Sequence, residues 1–461
     1  MSGGSGAATG RDLARAVLLR VERDGAFAGR ALAAALDRAP GMSGPDRGLA
    51  TELVYGVLRR RARLDRAIAA LASKGIDALD LEVRIALRVG AYQLLFLDRV
   101  PAYAAVSDAV EACKQARGRG AAGFANAVLR KLARGGEPPL PDATADPATF
   151  LEVAVGFPPW LARLALAELP AAEAVALGEA SVATPPVGLR ANTARVDRDA
   201  LIERLRGERP EAALVASAVA PDAVLARGLE APASTEAWRA GLYAVQDAGA
   251  QVIAELCGAA PGERILDACA GLGGKTAHLL ALAGGRAEVD AADVSGAKLR
   301  EAAQTLARLG LQPPRTLVAD LTQPLADPTR RYDRVLLDAP CSGLGVLRRH
   351  PEALLRRTPA DLAALASAQQ RMLRALAPAV RPGGLLVYAV CTFDRAECED
   401  VVEAFLRDHP AFRVESASAA GGRVPWDRLM LAAGPLAGAV RTWPQRDDSD
   451  GFFAVRLRAA G

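Results

Sequence analysis

Five apolar, strand-like runs in the second half of the chain end in a carboxylate or a thiol: Asp267, Asp293, Asp320, Asp338 with Cys341 just beyond it, and Cys391. Hydrophilic groups at one rim of a sheet contribute nothing to a core, and open parallel sheets bind ligands at the carboxyl ends of their strands. One ligand spanning the rim accounts for all five. The first run leads into Cys269-Ala270-Gly271-Leu272-Gly273-Gly274-Lys275-Thr276. Small residues there let backbone N–H groups at a helix start approach an anionic or carboxylate group. The dinucleotide fingerprint fails because Thr276 stands where its third glycine belongs, and a Walker A loop fails because Cys269 replaces its first. Asp293 lies twenty residues past Gly273, at a strand end where an acidic side chain accepts both hydroxyls of a ribose. These constraints suit an adenosine-containing ligand without a polyphosphate, and S-adenosylmethionine is the obvious one.

The turn Asp338-Ala339-Pro340-Cys341 puts a thiol where enzymes that methylate exocyclic amines of bases carry an Asp/Asn-Pro-Pro-aromatic turn, which argues against amine chemistry. A thiol suits carbon 5 of a pyrimidine, a poor nucleophile until a thiolate adds to C6 and makes C5 enamine-like. Cys341 and Cys391 at adjacent strand ends are two candidates, and the pair is more specific than either alone. Cys113, Cys257 and Cys398 read as packing residues, and Cys269 as a donor of backbone only. Lys275, one of five lysines beside 52 arginines, is expected to contact ligand or RNA. Arg348, Arg349 and His350 read as an exposed loop able to touch phosphate.

These groups need a scaffold. From Glu263 onward, runs at 264–268, 287–293, 315–320, 334–340 and 384–391 alternate with amphipathic segments such as Ala297–Leu309 and Pro359–Leu376. Such alternation predicts right-handed βαβ units and a doubly wound α/β domain. Residues 11–135 read as helix after helix (Arg11–Arg23, Asp46–Arg63, Val83–Leu97, Ala121–Leu132), hence an all-α bundle. Gly135–Pro147 lacks periodicity and reads as a linker. The stretch 148–250 mixes helical patterns (Phe150–Leu169, Asp199–Leu205) with extended runs near Val187–Ala191, predicting a small α+β domain.

At 461 residues, 51% hydrophobic and 24% charged, the chain is neither one small module nor disordered. No apolar run reaches the roughly 18 residues of a bilayer span, and the opening MSGGSGAATG has no signal-peptide core. The expectation is a cytoplasmic protein with a flexible first ten residues. Six scattered cysteines without a CxxC pair exclude a disulfide framework, and three histidines without ligand spacing (His278, His350, His409) argue against a metal. Residues 1–140 hold 22 Lys and Arg against 14 Asp and Glu although the whole chain is only +4. That asymmetry fits a polyanion-binding arm as well as it fits solvated helix faces.

Residues 263–457 resemble the RNA cytosine-C5 methyltransferases through DACAGLGGKT, DVSGAKL, DAPCSGLGVLRRHPE, the Cys391 segment and DGFFAVRL. The first 135 residues resemble the NusB-like RNA-binding domain through ELVYGVLR, LRVGAYQLLF, VPAYAAVSDAVE and FANAVLRKL, and LRANT and YAVQDAGAQ are similar to the middle of the RsmB (Sun) family. The resemblance implies a Rossmann-like S-adenosylmethionine-dependent methyltransferase acting on cytosine 967 of 16S rRNA, naked or in an early small-subunit assembly intermediate, as a metal-free monomer. It implies domains at 11–135, 150–245 and 246–461, with a linker at 136–149. It makes Cys391 the nucleophile, Cys341 the residue that assists product release, and Cys269, Ala270, Gly271, Leu272, Gly273, Gly274, Lys275, Asp293, Asp320 and Asp338 the S-adenosylmethionine contacts. Two positions depart from the family: Gly271-Leu272 replaces Ala-Pro, and Val390 replaces the Thr before the nucleophile. Other readings are methylation at another rRNA or tRNA site, a P-loop-like nucleotidase using Lys275 and Asp338, and a non-catalytic RNA-binding factor.

Overall fold

The computed structural model describes residues 9–72 and 75–461. Most of the expected flexible tail, residues 1–8, lies outside the described residues. Thr9 and Gly10 are already structured: the Thr9 side chain accepts the Asp12 N–H, the Asp12 carboxylate accepts the Thr9 N–H, and this capping box starts the helix Gly10–Arg23. The chain divides into two compact units, Met1–Ala183 with Leu347–Arg356, and Thr184–Val346 with Arg357–Gly461.

The first unit is helical. Leu13, Val17, Leu18 and Val21 bury one stripe of Gly10–Arg23, and they join Leu53, Val57, Leu64, Leu87, Val128 and Leu132 from later helices in one core. Three expectations change. The segment expected as one helix over Asp46–Arg63 breaks at Arg60 (φ −104°, ψ 11°), giving Gly44–Arg59 and Arg61–Ala69. The helix expected at Ala121–Leu132 is the far half of Ala102–Gly135, bent at Arg117 and Gly118. Phe150–Leu169 is not one helix, because a π turn at Leu151–Val155 runs into Gly156 in the left-handed region (φ 91°) before Pro159–Glu168 begins. The 136–149 segment is packed rather than free: Glu137 accepts from Arg63, and Arg66 donates to the carbonyls of Pro138 and Pro139.

The α+β block expected at 150–245 is divided. Its helices up to Val182 fall in the first unit, and its strands, with the helices Arg198–Glu208 and Glu236–Arg239, open the second. Strands β1 (Val187–Ala191), β2 (Ala213–Ala216), β3 (Ala223–Arg227) and β4 (Tyr243–Val245) form an antiparallel sheet in the order β2-β3-β1-β4. The larger sheet contains β5 (Arg264–Ala268), β6 (Glu288–Asp293), β7 (Arg315–Val318), β8 (Tyr332–Asp338), β9 (Val380–Val390), β10 (Phe412–Glu415), β11 (Val440–Thr442) and β12 (Phe452–Ala459). Its order is β10-β12-β9-β8-β5-β6-β7, with β11 pairing β12. The five strands from β9 to β7 are parallel, whereas β12 joins β9 antiparallel. The sheet is therefore mixed, with an antiparallel extension that the strand–helix pattern did not contain.

Two-residue periodicity makes this sheet doubly wound. On β9, Leu385, Val387 and Ala389 enter the core shared with Val252, Leu279 and Leu306, whereas Leu386, Tyr388 and Val390 enter the core shared with Leu373, Val401 and Phe405. Both faces are covered by helices, leaving the carboxyl-end rim as the place for ligands. Among the described residues no helix is long and apolar enough to cross a membrane.

Candidate active site

At the end of β5 the backbone itself shapes the rim. Cys269 takes a left-handed conformation (φ 65°), as do Gly271 and Gly273. A Cβ on Gly273 would lie 2.7 Å from the Ala302 side chain, so glycine is required on both conformational and steric grounds. The Ala270 N–H donates to the Ala292 carbonyl (2.8 Å), and the Gly271 N–H donates to Asp293 Oδ2 (3.0 Å). Asp293 also accepts from the Ser295 N–H (2.8 Å), with Lys298 Nζ at 3.8 Å. A carboxylate has about four acceptor sites, so capacity remains for ribose hydroxyls. Val294 follows Asp293, and Val318 is its register partner across β6 and β7. Together with Leu272 they expose 74%, 67% and 47% of their surfaces. An apolar patch beside an acidic strand end suits a purine and its ribose, and sequence reasoning missed the two valines because only the register joins them.

Asp267 does not stand on the open rim. It is fully buried, with Oδ2 accepting from the Thr276 hydroxyl and Oδ1 left without a partner, and burial pushes its carboxyl up to about 7. Burial pulls the Lys275 ammonium down, but the charges of Asp338, Asp267 and Cys391 outweigh it and raise it above the usual lysine value. Its Nζ donates to Asp338 Oδ2 at 2.7 Å. Cys269 is pushed up to about 12 by burial and by Asp338 and Asp293, and this keeps it an inert thiol. Asp320 stands apart from the others. It is exposed, its carboxylate capping the Thr322 N–H and hydroxyl.

The register brings the two thiols together. Asp338 on β8 pairs with Ala389 on β9, so Cys341 and Cys391 leave adjacent strands within a few residues of that pair. Their sulfurs lie 3.2 Å apart, and the Cys391 N–H points to Cys341 Sγ at 3.3 Å. The Cys391 sulfur together with burial drives Cys341 well above the usual thiol value, so Cys341 keeps its proton. Gly345 donates to the Cys391 carbonyl and accepts from Gly451, whose carbonyl oxygen would lie 2.1 Å from any Cβ at position 345. Val390 is buried in the core, and the hydroxyl on the other side of Cys391, that of Thr392, bonds Ser342 Oγ at 2.9 Å.

Two further residues were missed. Gln369 donates to the Pro340 carbonyl and to Glu397 Oε2, both at 2.9 Å, and the same Glu397 oxygen accepts the Ser342 N–H at 2.9 Å. Both residues flanking Cys341 are thereby held by buried side chains. Burial raises the Glu397 carboxyl, and its Oε1 has no partner among the described residues. The signal available in the sequence was Gln369 itself, a polar residue on the buried stripe of Leu362, Ala366, Leu373 and Leu376.

The family described as 16S rRNA methyltransferase RsmB/F matches residues 255–458, and the NusB family matches residues 8–134. A probable ribosomal RNA small subunit methyltransferase B of Synechocystis sp. is 35% identical over 458 residues, 98% of this chain and 99% of that protein. The chain belongs to the RsmB/F family. The ribosomal RNA small subunit methyltransferase B of Pseudomonas putida is 37% identical over 89% of this chain and 90% of its own. The solved structure of PH0851 has the same fold, with a TM-score of 0.79 and 23% identity over 99% of this chain and all of that one. Methyltransferase membership implies S-adenosylmethionine as methyl donor, and the cradle at the end of β5 has the shape and donors for it.

One expectation outside the rim is corrected. Within this RsmB/F chain the loop after Cys341 is not an exposed phosphate-binding loop throughout: Arg348 is 3% exposed, its carbonyl accepts from Arg59 Nε at 2.8 Å, and Glu352 accepts the Ala28 N–H. His350 is exposed and pairs with Glu352. His278 does meet carboxylates, its ring lying with Asp222 and Glu255 so that their ligand atoms fall within 4.8 Å of one another. Arg423 pairs with Asp222, and buried Arg190 interacts with both carboxylates, so their charge is already balanced.

Proposed function

We propose that this protein methylates carbon 5 of a cytosine in 16S rRNA, cytosine 967, with Cys391 as nucleophile. The observation that carries the proposal is the thiol pair at the ends of β8 and β9, 3.2 Å apart, in a chain of a methyltransferase family. S-adenosylmethionine supplies the electrophilic methyl group, held by the Cys269–Lys275 backbone, by Asp293 with Val294 and Val318, and by the Asp338 and Asp320 rim.

The Cys391 thiolate adds to C6 of the cytosine, forming an S–C6 bond and giving C5 carbanion character. C5 then takes the methyl group and S-adenosylhomocysteine is left; a water molecule accepts the C5 proton, the C5–H electrons form the C5–C6 double bond, and the S–C6 bond breaks to return the Cys391 thiolate. Protonated Cys341, beside Cys391, donates a hydrogen bond that stabilises the departing thiolate and speeds release. Lys275 adds a fixed positive charge whose field reaches Cys391. The helical unit carries the RNA, through arginines, whether naked 16S rRNA or an early small-subunit intermediate. The protein works in the cytoplasm, as a monomer and without a metal.

Bisulfite sequencing of 16S rRNA from a strain lacking this protein tests the assignment. Loss of protection at cytosine 967, restored by the wild-type chain and not by Cys391→Ala, is expected. Full protection in the deletion strain would refute it.

A further inference from the structure

The helical unit carries a groove of about 550 Å³ that methyl transfer does not use. The bend at Arg117 and Gly118 (Gly118 φ 76°) turns Ala102–Gly135 back on itself, so residues 102–110 and 126–134 line one space. Val106, Val110 and Ala133 are among its apolar lining residues. Tyr103, 79% exposed, lines the same groove as Arg130 and Arg134.

Several arginines of this unit are tied to carboxylates, and the two of this groove are not. Arg15, Arg63 and Arg88 each pair with carboxylates. Arg130 donates through Nε to Asn126 Oδ1 (2.9 Å), and Arg134 donates to the Arg130 carbonyl (3.3 Å). Neither has a carboxylate partner among the described residues. A cation in the last helical turn gains from the helix dipole, which accounts for Arg134 but not for a solvent-facing tyrosine at the start of the other half. A flat, anionic ligand satisfies both observations. Bases stack on aromatic platforms beside guanidinium groups when the strand is single, and an A-form duplex hides those base faces.

We propose that this groove binds single-stranded RNA, with one base stacked on Tyr103 and the adjoining phosphates on Arg130 and Arg134. The proposal rests on the reading of this protein as an RNA methyltransferase and names where a strand outside the target nucleotide is held.

The test uses the full-length protein and a fluorescein-labelled oligouridine of about 12 nucleotides, a length within the usual single-strand site sizes, titrated by anisotropy across a salt series. Arg130→Ala with Arg134→Ala should lower the slope of log affinity against log salt by about 1.4, or ~0.7 for each phosphate no longer neutralised. Tyr103→Ala should weaken binding roughly tenfold without changing that slope, and Tyr103→Phe should bind like wild type. All variants should bind S-adenosylmethionine normally by calorimetry, which checks the fold. Equal affinities and slopes across the variants, with wild type still binding, would overturn the groove and leave the methyltransferase reading intact. Equal competition by a blunt RNA duplex would overturn the stacking. A wild-type protein that binds neither the oligomer nor 16S rRNA would sink both readings together.

Discussion

At the end of β5 the protein positions its ligand-facing groups with backbone, through left-handed Cys269, Gly271 and Gly273 and N–H groups aimed at a strand-end carboxylate. At the ends of β8 and β9 it does so with side chains, where Gln369 and Glu397 grip both sides of Cys341 from beneath. The difference follows from the chemistry on each side. A donor that only has to be held tolerates a small-residue loop, because amide dipoles need no side chain to present them. On the proposed mechanism Cys341 has to stay beside Cys391, 3.2 Å away, to assist its release, and a side chain with such a positional task needs its neighbours fixed by buried, directional bonds.

The comparison breaks first at the sulfurs. Cys391→Ala should abolish methyl transfer and leave no covalent adduct with RNA carrying 5-fluorocytosine at the target. Cys341→Ala should still attack and methylate but release slowly, so a conjugate accumulates on a denaturing gel with unmodified RNA. A conjugate with Cys391→Ala and none with Cys341→Ala would invert the roles. Glu397→Ala comes next. It strands the Ser342 N–H and the Gln369 amide in a buried site, costing about 1–3 kcal/mol for each unsatisfied group, and should lower kcat ~100-fold by displacing Cys341. KM for S-adenosylmethionine should stay unchanged. Glu397→Gln keeps an acceptor oxygen, so it should recover most of kcat; a Gln variant as slow as the Ala variant would argue against positioning.

The backbone half was legible because glycine and small residues leave their mark in the sequence. Strand β5 lies at 264–268 and the helix Pro359–Leu376 begins and ends where its apolar spacing and capping Thr358 indicate. The side-chain half was hidden. Glu397 looks like any acidic residue before a helix, and only the packing of that helix against Pro359–Leu376 brings it to Ser342. Local pattern also failed where distant contacts decide: residues 347–356 cluster with the helical unit, and β10 to β12 pair antiparallel at an edge far along the chain from β9. At Asp320 the strand-end position was legible, but its capping of the Thr322 N–H and hydroxyl in its own turn was not.

On the backbone side, Asp293→Ala should weaken S-adenosylmethionine binding by about 1.5–3 kcal/mol, the range for a charge-assisted hydrogen bond, with little change in the single-turnover rate at saturation. Asp293→Asn keeps an acceptor for the Gly271 N–H and should fall between. Calorimetry showing unchanged affinity in the alanine variant would remove Asp293 from the site.

The smallest effect on activity is expected beneath that loop, at Asp267, where the change is one of stability. Its carboxyl, pushed up to about 7 by burial, holds its proton more tightly in the folded protein than in the unfolded chain, where an aspartate titrates near ~3.9. Its contribution to stability is therefore fully present below about pH 4, declines as pH rises between ~4 and ~7, and is lost above that window, at up to about 1.4 kcal/mol per pH unit. Asp267→Asn keeps an oxygen for the Thr276 hydroxyl and cannot ionise, so it removes this dependence and little else. The wild-type and Asn stability curves, measured by denaturant unfolding from pH 4 to 8, should diverge through that window, with the variant gaining relative stability as pH rises. Parallel curves would mean that the buried oxygen without a partner is hydrated or paired in solution, and that the backbone half of the rim stores no charge-burial cost under its loop.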